Sequence, residues 1–421
     1  MADVQPLRAL HYDLKKVGPL QGVVAPPYDV IDEQQRTNLE ARSPYNVVAV
    51  DLPRGEPDPY THAAATFARW QAESAVVRDD EPALWTLSQT FAAPDGRTLT
   101  RDGFLARVGV EEYGAGRIRP HERTHPGPKE DRLRLTRATR ANLSPIFSLY
   151  DDAAGDVASA LRPAQAAAPW GEATDDEATH NVLARVSDPG VITAVTAAMS
   201  NTELLIADGH HRYETARVYA DEIGGDGDHR FVLMHLVALQ DEGLAVFPTH
   251  RLVGGLAKDP QRQETLAATL REHFEIEELS DPAQLATPPG DGPLALGYID
   301  SHFRRPFRLT LKDQAIADSA LAAMPEPYRR LDTAVLEELI LKGPLGLTED
   351  DISHLRGLGY SRTDEEALSL VLDGPFDAAF FLRPGPITQV QEIAAAGVNM
   401  PPKSTFFYPK VPTGLVFNPL I

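Results

Sequence analysis

The stretch Leu204–Ala216, LLIADGHHRYETA, constrains the fold more than any other part of the chain. An apolar run over Thr202–Ala207 reads as a strand. It stops on Asp208, Gly209, His210, His211 and Arg212, and Tyr213, Ala216, Ala220 and Ile223 then recur at i, i+3, i+7 and i+10, the apolar face of a helix. A strand running straight into a helix leaves the helix N-terminus at the turn. Free backbone N–H groups and the positive end of the helix dipole meet there, which suits an anion.

The residue types support that reading. Gly209 lets the backbone approach closely or adopt positive φ. His210 and His211 add donors, and Arg212 can fork onto two phosphate oxygens. Asp208 can hold a metal ion, orient a histidine or cap the helix, and these readings stay open. Composition narrows the classes. No apolar run approaches about 18 residues, so no membrane span is expected. The first residues lack a charged-then-apolar pattern, so no signal peptide is expected and a cytoplasmic location fits. The chain has no cysteine, which excludes disulfides and thiolate chemistry. The formal net charge of −21 disfavours nucleic acid as a partner. Between Arg117 and Arg140, however, eight Lys/Arg stand against three Asp/Glu, a local +5 that reads as an anion site or as a solvated helix.

Strands and helices alternate through the 421 residues, with hairpins between them. That predicts α/β or α+β architecture with mixed sheets. Expected hairpins are 84–91 with 98–110, 231–239 with 244–252, and 294–311. VVAPPYDVI is expected as a short strand entering a Pro-Pro turn, and SPYNVVAVDLP as a second strand. The prolines at 126 and 128 are expected to hold off a helix until Lys129. Residues 153–179 read as a surface excursion. The expected division is 1–255, with an insertion near 150–200, and 256–421.

Other polar groups are candidates. RPHERT places His121, Glu122, Arg123 and Thr124 in a Pro-bounded loop, where Glu122 is a plausible base; His121 and His125 are four residues apart, but Pro126 follows at once and denies them the helical context of a zinc pair. FPTHRL offers His250 and Arg251, and MPPKSTFFYPK offers Lys403, Ser404, Thr405 and Lys410. KST lacks the glycines of a P-loop. PPYD supplies Tyr28 and Asp29, as turn or pocket residues.

DGHHR after a strand, together with the upstream PHE, resembles the ParB/sulfiredoxin-like superfamily and its free serine kinases. VAPPYDVI, HERT, ADGHHRYETA, PTHR and MPPKSTFFYPK resemble, over nearly the whole chain, the family called domain of unknown function 1015. The resemblance implies a ParB/sulfiredoxin-like core with large insertions and a C-terminal α/β extension folding back on the cleft. It implies a kinase taking ATP or ADP with Mg²⁺ and phosphorylating a small free hydroxyl, L-serine first. Glu122 would be the general base, with Asp208 and His211 catalytic and Asp208 on the metal. Gly209, His210, His211, Arg212, Arg123 and Thr124 would bind phosphate; Tyr28, Asp29, His250, Arg251, Lys403, Ser404 and Thr405 would bind substrate. Glu122 and Asp208 lie 86 residues apart, which places an insertion between them. The alternatives are a non-catalytic nucleotide-binding switch and a metal-dependent hydrolase using the histidines.

Overall fold

A computed structural model describes the chain except residues 1, 94, 95, 114–116, 122–125, 289 and 291, with 126–128 described in backbone alone. The chain forms two compact units, 1–120 with 124–245 and 409–421, and 121–123 with 246–408, in place of a division at 255. No described helix is long and apolar enough to cross a membrane.

In the first unit nine described strands make one mixed sheet. They are β1 (Val4–Gln5), β2 (Leu84–Ala92), β3 (Thr98–Gly109), β4 (Ile118–Arg119), β5 (Ile146–Tyr150), β6 (Gly171–Thr174), β7 (His180–Val186), β8 (Leu204–Asp208) and β9 (Phe231–Ala238). Their order is β4-β8-β5-β9-β3-β2-β7-β6, with β1 beside β3. The β2–β3 hairpin is the one expected, and β4–β8 and β9–β5 are parallel pairs. The helices used below are α1 (Pro59–Ala72), α2 (Pro126–Thr139), α3 (Asp156–Gln165), α4 (Pro189–Met199) and α5 (His210–Ile223). The mixed α/β class is therefore what the chain adopts.

Because strand side chains alternate, the sheet has two unlike faces. Phe104, Ala106 and Val108 of β3, Met234 and Leu236 of β9 and Leu204 and Ile206 of β8 share one core with Val157 and Leu161 of α3, Val195 and Met199 of α4 and Tyr213 and Ala216 of α5. The opposite face carries fully buried polar side chains, Asn181, Gln89, Arg101 and His235, on β7, β2, β3 and β9 in turn. A register shift between Ile206 and Asp208 sets Asp208 opposite Phe147 of β5, which itself pairs with His235. Bulges of this kind re-aim a side chain, and this one ends the polar row on Asp208.

The second unit has a six-stranded sheet, all antiparallel, ordered 274–278, 307–311, 295–300, 378–381, 250–253 and 358–361. Leu252, Ile299, Ala379 and Phe381 pack there against Ala367 and Val371 of the helix Asp364–Leu372.

Several local expectations are corrected. Val48–Asp51 is a helical turn, since a short apolar run has no period of its own. Tyr28–Val30 is a 3₁₀ turn, and Asp32 caps the following helix. Pro126 and Pro128 fall in the first turn of α2, where a missing N–H costs nothing. Residues 153–179 hold α3 and β6. Phe231–Ala238 pairs with β3 and β5, not with residues 244–252. Ile223 is 56% exposed, so the apolar face of α5 ends at Ala220.

His235 gives the first unit a pH dependence. Neither ring nitrogen has a hydrogen-bond partner among the described residues. Burial, helped by Arg101, holds its pKa well below the ordinary value. The unfolded chain therefore binds a proton below about pH 6.5 that the folded chain refuses, and stability falls as pH drops, by up to about 1.4 kcal/mol per unit. Asp241, pushed by burial up to about 6, acts in the opposite sense. The measurement is thus a difference. All three tryptophans, Trp70, Trp85 and Trp170, lie in this unit, so their fluorescence in urea reports it. His235→Leu should lose stability less steeply than the wild type between pH 7 and 5; equal slopes would contradict this account.

Candidate functional site

β8 ends at Asp208, and Gly209, at φ 97°, turns the chain into the fourteen-residue α5. A side chain is strained at that angle, and a Cβ on Gly209 would also lie 3.1 Å from the Arg212 guanidinium. Asp208 Oδ2 is 3.2 Å from Lys410 Nζ and 3.5 Å from Arg212 Nη2. Burial works to raise its pKa, but Lys410, Arg212 and His210 together outweigh it and hold the carboxyl far below the usual range. The carboxylate is ionised at every working pH.

Arg212 does not point outward as a free fork. Its Nη1 donates to Ser144 Oγ at 2.8 Å and to the Pro145 carbonyl, and the side chain is only 12% exposed. Thr413 Oγ1 donates in turn to Ser144 Oγ at 3.1 Å. Arg212 also lines a cavity of about 40 Å³ with Asp51, Arg132, Ser144 and Thr215. Asp51 Oδ2 has no hydrogen-bond partner among the described residues, and a cavity of this size has room for water to serve it. Burial raises the Asp51 pKa against the pull of Arg132 and Arg212.

The PPYD turn joins this group. The Arg132 guanidinium stacks 4.1 Å above the Tyr28 ring. Burial raises the Tyr28 pKa, while Arg212 and Arg132 draw it back. Asp29 lies within electrostatic reach of Tyr28 and Asp51. Tyr28, Asp29, Asp208, Gly209, His210, His211 and Arg212 thus all belong to the first unit. Glu122, Arg123 and Thr124 lie outside the described residues, as does His125.

The other candidates belong to the second unit. Arg251 donates to the Thr249, Pro402 and Lys403 carbonyls. His250 Nε2 lies 2.9 Å from Asp364, and its Nδ1 accepts from Leu382 N–H. Ser404 Oγ meets Thr333 Oγ1 at 2.8 Å, and Thr405 Oγ1 meets His121 Nε2 at 3.0 Å. Lys403 sits at φ 56°. Of these side chains, Arg251, Ser404 and Thr405 make bonds to or from residues 402–405.

The basic stretch 117–140 is corrected. Five of its described cations face acids drawn from elsewhere: Arg119 on Glu203, Lys129 on Glu214, Arg132 on Asp51, Arg134 on Asp58 and Arg137 on Glu222. Those five charges are matched within the first unit. No group of three His, Asp or Glu able to hold a metal occurs among the described residues. Asp208, the expected magnesium ligand, already carries two cations, so the described donors do not make a magnesium site by themselves.

The sequence reading missed Lys410 as a partner of the turn, although MPPKSTFFYPK contains it. It also missed Arg101, Gln89, Ser144, Asp51 and Arg132, whose spacings carry no local signal.

The chain belongs to the family described as protein of unknown function DUF1015, whose model matches residues 4–334. No curated protein matches it. Among solved structures it is similar to a free serine kinase variant in complex with AMP, at 14% identity, covering 69% of this chain and 84% of that one with a TM-score of 0.36. A conserved hypothetical protein from Pyrococcus furiosus matches at 18% identity, 70% and 90% coverage and TM-score 0.35. SbnI with a C-terminal truncation, from Staphylococcus aureus, matches at 11% identity, 73% and 84% coverage and TM-score 0.37.

The two classes of ion pair in α2 differ in energy. Arg132 and Asp51 are each 5% exposed, whereas Arg137 and Glu222 are 44% and 37% exposed. Arg132→Met leaves a buried carboxylate alone and should cost about 3–5 kcal/mol. Arg137→Met should cost about 0.2–1 kcal/mol. Urea unfolding followed by tryptophan fluorescence checks the order, and equal costs would contradict the assignment.

Proposed function

We propose that this chain is a nucleotide-dependent kinase acting on a small free hydroxyl compound, with L-serine the first acceptor to test. One observation carries the reading: the Asp208–Arg212 turn gathers Lys410, Arg212 and His210 around one carboxylate at the N-terminus of a fourteen-residue helix. Phosphoryl transfer asks a protein chiefly for positioning and for charge stabilisation. Helix N–H groups and a lysine supply both for a phosphate chain. ATP or ADP is the proposed donor, and magnesium would enter on its phosphates. Glu122, from the PHERT stretch, is the proposed acceptor of the hydroxyl proton. Tyr28 and Asp29, within electrostatic reach of the same group of charges, are the proposed acceptor-binding residues.

The test incubates the full chain with ATP or ADP, Mg²⁺ and L-serine and follows ³¹P NMR. O-Phosphoserine is the expected product. Glu122→Gln keeps shape and removes only the proton acceptor, so turnover should fall about 10²–10⁴-fold with nucleotide affinity unchanged. Loss of nucleotide binding in Glu122→Gln would overturn its role as base. Nucleotide binding with no turnover for any hydroxyl acceptor would make the wild type a binding switch instead.

A further inference from the structure

Resting on the nucleotide reading, we infer that Lys410 is the phosphate-contacting cation of the turn, and that Gln89 and Arg101 are positioning residues that fix its backbone. Arg212, the residue the local motif offers for this task, has its guanidinium beneath Gly209 and committed to Ser144, Pro145 and Asp208. Lys410 differs. Its ammonium reaches Asp208 Oδ2 from a partly exposed side chain, and a lysine is a flexible point charge with three donors. It can exchange a carboxylate oxygen for a phosphate oxygen without moving its own backbone.

That backbone is held from the sheet. Arg101 Nη2 donates to the Pro409 carbonyl at 2.6 Å and to Gln89 Oε1. Gln89 Nε2 donates to the Lys410 carbonyl at 3.2 Å and to Asn181 Oδ1 at 2.9 Å. Two residues later in the polypeptide than Val411, Thr413 exchanges backbone hydrogen bonds with Ala25 in both directions, 2.8 and 3.2 Å. Gln89 and Arg101 are fully buried, so neither is available to a ligand from solvent. Burying an arginine is costly unless its donors are used. Here one Nη2 hydrogen bond goes to the main chain that carries Lys410 and the other to Gln89.

Calorimetric titration of the full chain with ADP and with inorganic pyrophosphate tests this. Lys410→Met should weaken both about 10- to 100-fold, the value of a charge-assisted hydrogen bond. Gln89→Met should weaken both by a smaller factor in the wild-type background and have no further effect in the Lys410→Met background, because it acts only through Lys410. Independent, multiplicative losses would overturn the positioning role. Wild-type affinity in a folded Lys410→Met protein would overturn the lysine's role. Should Lys410→Met fail to fold with Asp208 left only its weaker Arg212 contact, Asp208→Asn/Lys410→Met removes both charges and should fold yet bind ADP as weakly as expected for Lys410→Met; wild-type affinity there overturns the inference equally. If the wild type binds neither ligand, the nucleotide reading itself fails and takes this one with it.

Discussion

The ion pair between Asp208 and Lys410 holds the turn at the end of β8 to the last segment of the first unit. It joins the end of β8, one strand in from the edge of the sheet, to a segment from the last part of the chain. A carboxylate at the end of a strand and the start of a helix would ordinarily satisfy the helix dipole and nothing else. Here its charge is matched by Lys410 and Arg212, and the two cations have different freedom. Arg212 is fixed by Ser144 and Pro145, so it sets the shape of the turn. Lys410 reaches Asp208 from a backbone held by Gln89 and Arg101.

The polar row on the sheet explains how such a pair survives in a largely apolar setting. Asn181, Gln89, Arg101 and His235 lie on adjacent strands, and the bulge in β8 adds Asp208 at the row's end. Arg101 lies over the Phe147 ring at 4.4 Å, and burial pulls its pKa down to about 9. A guanidinium remains charged there at neutral pH, and its hydrogen bonds to Gln89 and Pro409 offset part of the desolvation. His235 is the converse case: with no partner among the described residues, it stays neutral. The row therefore holds one charge where it is needed and suppresses another.

Local features were legible in the sequence, and features built from distant segments were not. The β8–turn–α5 unit could be read because an apolar run, a glycine and a 3.6-residue period lie side by side. The β2–β3 hairpin was legible for the same reason. The Arg101–Pro409 bond spans 308 positions, and no spacing rule reaches that far. The basic stretch was misjudged because its neutralising acids, Asp51, Asp58, Glu203, Glu214 and Glu222, come from four other parts of the chain. Val48–Asp51 was misassigned because the four-residue apolar run at 47–50 fits a strand or a helix equally well. The second group of candidates, from His250 to Thr405, was found by composition, but its role in holding a loop depends on backbone carbonyls that a sequence does not display.

The discontinuous make-up of the first unit has a consequence for synthesis. Residues 1–245 supply the whole nine-stranded sheet, yet the unit also includes 409–421. While the ribosome is still adding residues 246–408, Gln89 and Arg101 have no main-chain carbonyls to receive their N–H groups, and Asp208 has only one of its two cation partners. The sheet is assembled in outline long before the turn is electrically complete. A chain released early would carry the strand, the glycine and the helix, and would lack the lysine that pairs with Asp208.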